Sequence, residues 1–458
     1  MLHASRHRAP AGRGDERRAG LRQLLPARVA DGPDRRGPGR PDLSRLRPTT
    51  TGGVPVSDSR PLPLAGVRVV DLSQVQFGPQ ATQILADFGA DVIKIERPRV
   101  GDISRSIDTE SDGIEDSASF ISLNRNKRSI VLDLKQPEAL DVVMRLLADT
   151  DVLVSNYRAG VAERMGLGWE ALRERFPRLV YAYGTGFGDT GPLRDLGGQD
   201  MALQSFGGAA WHNRGDDGRP SIYPVPFIDF GAGMALVQGI LMALIERSTS
   251  GRGQRVDVSL IDTVVFQQMQ EMTAWMMRRH EIHWERDNFV GAFKTADGWV
   301  TIVGLFRPEP LRDVCTALGT DDLTRRSEFA TAESQQQNRA ALWKIMDGEL
   351  ERFGTDEVLE RLGAAGILCG PVLDYDEVLA HPQVVHNDVV RTLDQPRLGQ
   401  VNVVDNPIRM SAATGRRYDP APLLGQHTDE VLREAGFTED EVEGLVARGI
   451  AGRTEDAS

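Results

Sequence analysis

Cysteine is nearly missing from this sequence: 458 residues carry two, Cys315 and Cys369. That excludes a disulfide framework and a cysteine-built metal cluster, and it makes the cytoplasm the expected compartment. Cys369, in the apolar stretch Gly366–Pro371, reads as a buried structural thiol. Long hydrophobic runs are scarce too. The longest, Met234–Ile245, is too short and too interrupted to span a bilayer, so no membrane partner is expected. None of the eight histidines pairs with another at ligand spacing on one helix, so no metal is expected. A Walker loop and a nucleophile-elbow serine are absent, so ATP-driven ligation and serine or metal hydrolysis lack support.

What is present is a long, charged chain whose length suggests two domains. Its net charge of −12 is uneven. Residues 1–60 hold thirteen Arg, no Lys and six acids, a net of +7, which leaves −19 on the remainder. Such an acidic body argues against nucleic-acid binding. The first sixty residues are rich in Arg, Pro and Gly without apolar periodicity, and no signal h-region is seen. They are expected to be a disordered extension, or residues upstream of a true start near Val54 or Val56. N-terminal sequencing of the native protein would decide between the two.

From Leu62 the pattern becomes regular. Strands are expected at Val67–Leu72, Asp91–Glu96, Ser129–Leu132, Val152–Val154, Leu179–Tyr183 and Arg255–Ser259, with helices at Pro79–Phe88, Pro137–Asp149 and Phe230–Ser248. Strand, helix, strand with short links is a βαβ unit and demands a parallel sheet. One Met-rich helix is expected from Ile261 to Arg279, with Met269, Met272, Trp275 and Met276 as a packing stripe. Residues 281–298 read as a linker or active-site loop, followed by a strand at Trp299–Val303 and helices near 308–318, 334–352 and 355–363. Two amphipathic helices close the chain between Thr428 and Arg448.

After the Leu179–Tyr183 strand comes a glycine-rich loop, a proline at 192, and then Gly198-Gln-Asp-Met, with Asp200 opening a short helix. A carboxylate there can cap the helix. It can also attack an acyl group. On residue type alone the cap is the commoner use. The Gly186-Phe-Gly-Asp-Thr-Gly191 match to a dinucleotide fingerprint is set aside, because Pro192 and coil follow instead of a helix N-terminus. His212 is a candidate acid–base group. Arg97, Arg125 and Arg164 are candidate phosphate ligands.

The ordered series of motifs is more specific than any single residue. It comprises Leu64–Asp71, Gln76-Phe-Gly-Pro79, Gly89–Arg97, Asn124–Ser129, Asn156–Gly160, Gly186–Gly188, Gly198–Asp200, Ser250–Gln254, Gly366–Pro371 and Leu424–Asp429. With these the chain resembles the family III CoA-transferases from Leu62 to Ile450. The resemblance implies an α/β protein: a large Rossmann-like, CoA-binding domain with a parallel sheet from 61–270 and 395–458, and linkers with a smaller α+β domain from 271–394. It further implies an interlocked homodimer whose active sites lie between the large domain of one chain and the small domain of the other.

The implied chemistry is transfer of CoA from an acyl-CoA to a carboxylic acid, with no permanently bound cofactor. Asp200 stands where the family places its nucleophile, which passes through an aspartyl anhydride and an enzyme–CoA thioester. By the same resemblance Gln76 and Phe77 contact substrate near the thioester. Arg97, Leu123, Asn124, Asn126 and Arg164 hold the nucleotide and pantetheine. Asn156, Tyr157, Arg158, Thr185, Gly186, Phe187 and Gly188 line the CoA channel. Gln74 replaces a His found in some members, and Asp287–Gly291 replaces the glycine run of formyl-CoA:oxalate transferases. Two alternatives stay open. One is a 2-methylacyl-CoA racemase-like isomerase using Asp229 as a base, although Gln199 stands where racemases carry His. The other is a CoA-binding protein without turnover.

Overall fold

The computed structural model describes residues 61–107, 117–215, 217–412 and 416–454. The expectations for residues 1–60 lie outside them.

Six strands form a parallel sheet: β1 (Arg68–Asp71), β2 (Asp91–Glu96), β3 (Lys127–Leu132), β4 (Val152–Ser155), β5 (Val180–Thr185) and β6 (Arg255–Ser259). Their spatial order is β3-β2-β1-β4-β5-β6, and the late strand β12 (Ala451–Gly452) adds antiparallel to β3. Val69 pairs with Val92 on one side and Val152 on the other. Both faces are covered, which is why the strands read as continuous apolar runs. One face packs on the Pro137–Leu147 helix and the C-terminal helices Thr428–Glu434 and Glu439–Ala447, through Val142, Leu146, Val431 and Leu445. The other packs on the Phe77–Asp87 and Phe227–Ser250 helices, through Leu85, Leu236 and Ile240.

The Phe77–Asp87 helix is buried at every position. Its polar residues are therefore paired: Thr82 donates to Asp71, Gln83 to the Ser122 carbonyl, and Asp87 accepts from Arg125 and Asn126. The Phe227–Ser250 helix has 24 residues and is long and apolar enough to cross a membrane by length and composition, which corrects the expectation drawn from Met234–Ile245 alone. Its Ile228, Ala232, Leu236, Ile240 and Ala243 face is instead buried against the core.

A second core surrounds the antiparallel sheet β7 (Val290–Lys294), β8 (Trp299–Val303) and β9 (Leu368–Pro371). Helices Pro310–Leu318, Arg339–Leu350 and Thr355–Ala364 pack on it around Phe293, Ile302, Leu311 and Leu362. Strand β7 falls inside the stretch expected to be a linker. Its Gly291 and the lack of apolar–polar alternation in Val-Gly-Ala-Phe-Lys hid it. A hairpin of β10 (Val390–Gln395) and β11 (Gly399–Val404) lays Leu393 and Val403 on Phe120 and Ile121.

The expected Met-rich helix is two, Leu260–Gln267 and Met269–Arg278. The second buries none of its residues, so Met269, Trp275 and Met276 face outward, contrary to the packing role expected of them. Cys315 is buried, but Cys369 is only partly so, which corrects its reading as a core thiol.

Candidate active site

In a sheet of this order, ligands bind where the winding reverses, at the carboxyl ends of β1 and β4. The loop leaving β1 is held there from three sides. Asn156, just past β4, accepts from the Gln74 N–H at 2.8 Å and donates to the Gln74 carbonyl at 2.7 Å. Asp102 accepts from the Val75 N–H at 3.0 Å, and Lys94 donates to the Ser73 carbonyl at 2.8 Å. Val75 has φ +67°, a costly conformation for a β-branched residue that persists only because the surroundings impose it.

Beneath the loop lie two fully buried ion pairs, Lys94–Asp102 at 2.8 Å and Lys127–Asp71 at 3.1 Å. Burial pushes the Asp102 carboxyl up. The Lys94 ammonium and the Ser104 and Val75 N–H groups outweigh it and hold that carboxyl well below the usual range. Burial brings Lys127 down to about 8 against the pull of Asp71.

Beside this loop opens a cleft of about 1170 Å³, lined by Gln74, Arg97, Arg99, Lys135, Tyr157 and Arg164 among others. The structure thus brings Arg97, Tyr157 and Arg164 together. It gives Asn124 and Asn126 other partners: both are buried, Asn124 bridging the Phe120 carbonyl and Lys127, Asn126 bridging Asp87 and the Asp419 N–H. Arg125 pairs with Asp87. Leu123 is half-buried at the end of the Ala118–Asn124 helix. Gln76 sits at the cap position of the Phe77–Asp87 helix and makes no side-chain cap bond. The Phe77 ring lies so close to Gly184 that a Cβ there would stand 2.0 Å from Cζ. Arg158 is exposed and its guanidinium lies against Gly197.

The loop after β5 delivers Asp200. Thr185 Oγ1 accepts from the Gly188 N–H at 2.9 Å, and Phe187 meets Phe206 edge-on at 5.1 Å. Gly186 and Gly198 touch backbone to backbone: a Cβ on either would fall 2.3–2.4 Å from the other's Cα. Only glycine permits that approach, and it brings the chain back into the sheet just before Asp200.

Asp200 is the first residue of its helix and fully buried. It does not cap that helix; the Gln199 side chain does, accepting from the Ala202 N–H. Asp200 instead caps another helix. Its Oδ2 accepts the N–H groups of Ile228 and Asp229, at 2.8 and 2.9 Å, in the first turn of Phe227–Ser250. Its Oδ1 accepts from Gln204 Nε2 at 2.7 Å. Gln204 in turn holds both backbone groups of Tyr223, accepting the N–H at 2.8 Å and donating to the carbonyl at 3.2 Å. Burial and the Asp200 charge raise the neighbouring Asp229 carboxyl to about 7.

Gln204 escaped the sequence reading. The signal was its i+4 spacing from Asp200, which sets both side chains on one helix face. Asp102 and Lys94 gave no signal of their joint role, since 94 and 102 meet only through the fold. His212 lines a cavity of about 430 Å³ with Tyr223 and Phe227 and is stacked on His283 at 4.2 Å. With Glu281 the two histidines form a group whose ligand atoms lie within 4.8 Å of one another, a cluster that spacing did not foretell. Glu281 is already engaged by both terminal nitrogens of Arg214, at 2.6 and 2.7 Å, and is held at about 2 chiefly by that bond.

The family model for CoA-transferase family III matches residues 64–428. The chain is 33% identical over 410 residues to succinyl-CoA:glutarate CoA-transferase of Homo sapiens, covering 88% of this chain and 93% of the relative. It is 32% identical over 408 residues to formyl-CoA:oxalate CoA-transferase of Streptomyces avermitilis, covering 84% and 99%. The crystal structure of a CAIB/BAIF family protein from Brucella suis superposes with a TM-score of 0.73 at 30% identity, covering 82% of this chain and all of that one.

Proposed function

Since the chain belongs to CoA-transferase family III and moves CoA between acyl-CoA and acids, we propose that Asp200 is the residue on which the transfer runs. The Asp200 carboxylate attacks the thioester carbonyl and expels CoA thiolate, leaving an aspartyl anhydride. The thiolate then attacks the aspartyl carbonyl, releasing the first acid and leaving an enzyme–CoA thioester. A second acid reverses both steps. One thioester replaces another, so no ATP is needed. The observation that carries this reading is the placement of Asp200: a buried carboxylate, fixed by three hydrogen bonds at a helix N-terminus, beyond the carboxyl end of β5.

The cleft with Arg97, Tyr157 and Arg164 would take the nucleotide and pantetheine of CoA, with Gln76, Phe77, Arg158 and Thr185–Gly188 toward the thioester. In this reading Asn124 and Asn126, with Leu123 beside them, belong to the frame behind the site, and Asn156 holds the Gln74 loop at the cleft. Succinyl-CoA as donor and a small dicarboxylate as acceptor fit the names of the relatives, and acetyl-CoA and a small hydroxy acid are the further donor and acceptor to test. An interlocked homodimer with large (61–270, 395–458) and small (271–394) domains, working in the cytoplasm, completes the proposal. The exposed apolar residues Phe266, Met269, Met276 and Met277 support a covered surface. The isomerase alternative is not favoured: the relatives carry transferase names, and Gln199, an amide, cannot take a proton at neutral pH.

The test incubates the protein with a panel of acyl-CoAs, traps with hydroxylamine or borohydride, and maps the modified peptide by mass spectrometry. A modification on Asp200 that vanishes in Asp200→Ala supports the mechanism. Absence of any adduct together with solvent deuterium at the α-carbon would overturn it.

A further inference from the structure

The two oxygens of Asp200 are held differently. Oδ2 accepts two backbone N–H groups from the first turn of a 24-residue helix. Those donors cannot leave without unwinding that turn, and together they occupy both in-plane lone pairs of the oxygen. Oδ1 accepts one bond, from the Gln204 amide, and keeps a lone pair. Gln204 is fully buried, and its amide is fixed from behind by the Tyr223 N–H and carbonyl.

We propose that Gln204 is the positioning residue that makes Oδ1 the attacking atom of Asp200 and leaves Oδ2 as the carbonyl oxygen of both covalent intermediates. This rests on the transferase reading of Asp200. In the first step the bond from Oδ1 to the acyl carbon forms and the acyl C–S bond breaks, with the electron pair leaving on the CoA thiolate. In the second step the thiolate bonds to Asp200 Cγ and negative charge develops on Oδ2. The Ile228 and Asp229 N–H groups already point at that atom and serve as its oxyanion hole. The Cγ–Oδ1 bond then breaks, and the first acid departs carrying Oδ1. No proton or electron is gained or lost in either step. Gln204 holds the carboxylate plane so that Oδ1 meets the thioester while Oδ2 stays seated. The Tyr223 backbone keeps the amide from turning its oxygen toward Asp200.

The full-length protein is reacted with saturating succinyl-CoA, and separately acetyl-CoA, in single turnovers that follow the Asp200 adduct. Gln204→Ala is expected to slow adduct formation on the order of 100-fold, with half-saturation for the acyl-CoA unchanged within about threefold, because it displaces the reacting atom and not the bound CoA. Gln204→Glu keeps shape and volume and supplies the decisive readout. Protonated, the introduced acid donates to Oδ1; ionised, it cannot, and it repels Asp200 and Asp229. Its activity is therefore expected to approach that of the wild type at acidic pH, where the acid donates to Oδ1 as the amide does, while Gln204→Met, similar in bulk and without a donor, stays slow at every pH; a packing role would restore both. Gln204→Ala reacting at the wild-type rate, or Gln204→Glu with the wild-type pH profile, overturns the proposal. Wild-type protein that forms no Asp200 adduct with any acyl-CoA of the panel overturns the reading of Asp200 as the nucleophile, and this inference with it.

Discussion

At the scale of single residues, Asp200 shows why a carboxylate's identity says less than its partners. The sequence offered a cap and a nucleophile as rivals, and the structure makes Asp200 a cap of a helix 28 residues away, through Ile228 and Asp229. The same bonds that cap that helix hold the carboxylate in place and meet its charge, so the cap is compatible with the proposed nucleophile. Asp200→Asn keeps the shape and should fold, yet it replaces the oxygen proposed to attack. CoA transfer should fall at least about 10³-fold while the melting temperature moves by only a few degrees. Asp229 provides a pH test. Its carboxyl is raised to about 7 by burial and by Asp200, so between about pH 4 and 7 the native protein binds a proton that the unfolded chain has released. Stability from this group is therefore full below about pH 4 and is lost as pH rises through about 7. Asp229→Asn should flatten that decline and stabilise the protein at pH 8 by roughly 2–4 kcal/mol, read from denaturant curves across pH.

At the scale of elements, the loops after β1 and β5 are shaped by contacts that one strand cannot reveal. The Gln74–Gln76 turn follows from Asn156, Asp102 and Lys94, which reach it from three other segments. Asn156→Ala removes two hydrogen bonds to Gln74 and should destabilise by about 1–3 kcal/mol. Because the released loop borders the cleft, KM for the acyl-CoA should rise more than kcat falls. In the second loop, Gly186→Ala places a methyl 2.4 Å from the Gly198 Cα and must push apart the segments that seat Asp200. Its kcat should drop by at least about tenfold with the far cleft intact, measured as unchanged CoA affinity by calorimetry. Strand and helix positions in the parallel sheet were legible because each buries a long apolar face. Strands β7, β9, β10, β11 and β12 were not, because each is short or carries polar and glycine residues, and packing decides them.

At the scale of the whole molecule, a set of exposed apolar side chains stands out. Phe230, Met242 and Ile245 on the Phe227–Ser250 helix, and Phe266, Met276 and Met277 beyond it, are all exposed. A periodic apolar stripe signals packing but does not name the chain that packs on it, and within this chain the Met269–Arg278 helix has no buried residue. If the proposed dimer covers this surface, Met276→Glu combined with Phe266→Glu should shift sedimentation toward the monomer and lower transfer in proportion. Unchanged sedimentation and activity would remove this surface from the dimer proposal.

The sequence by itself determined the parallel sheet, the order of its βαβ units, the family and the position of Asp200. These follow from local periodicity and from short motifs whose residues are neighbours in the chain. Only the tertiary structure decided which oxygen of Asp200 faces which donor, that Asn124 and Asn126 are spent on the frame, and that Gln204 and Asn156 hold the site. It also decided that the Met stripe lies outside. The physical reason is the same throughout: a hydrogen bond or a buried contact is fixed by distance in space, and Asn126 with Asp419, or Asp200 with Ile228, are near only after folding.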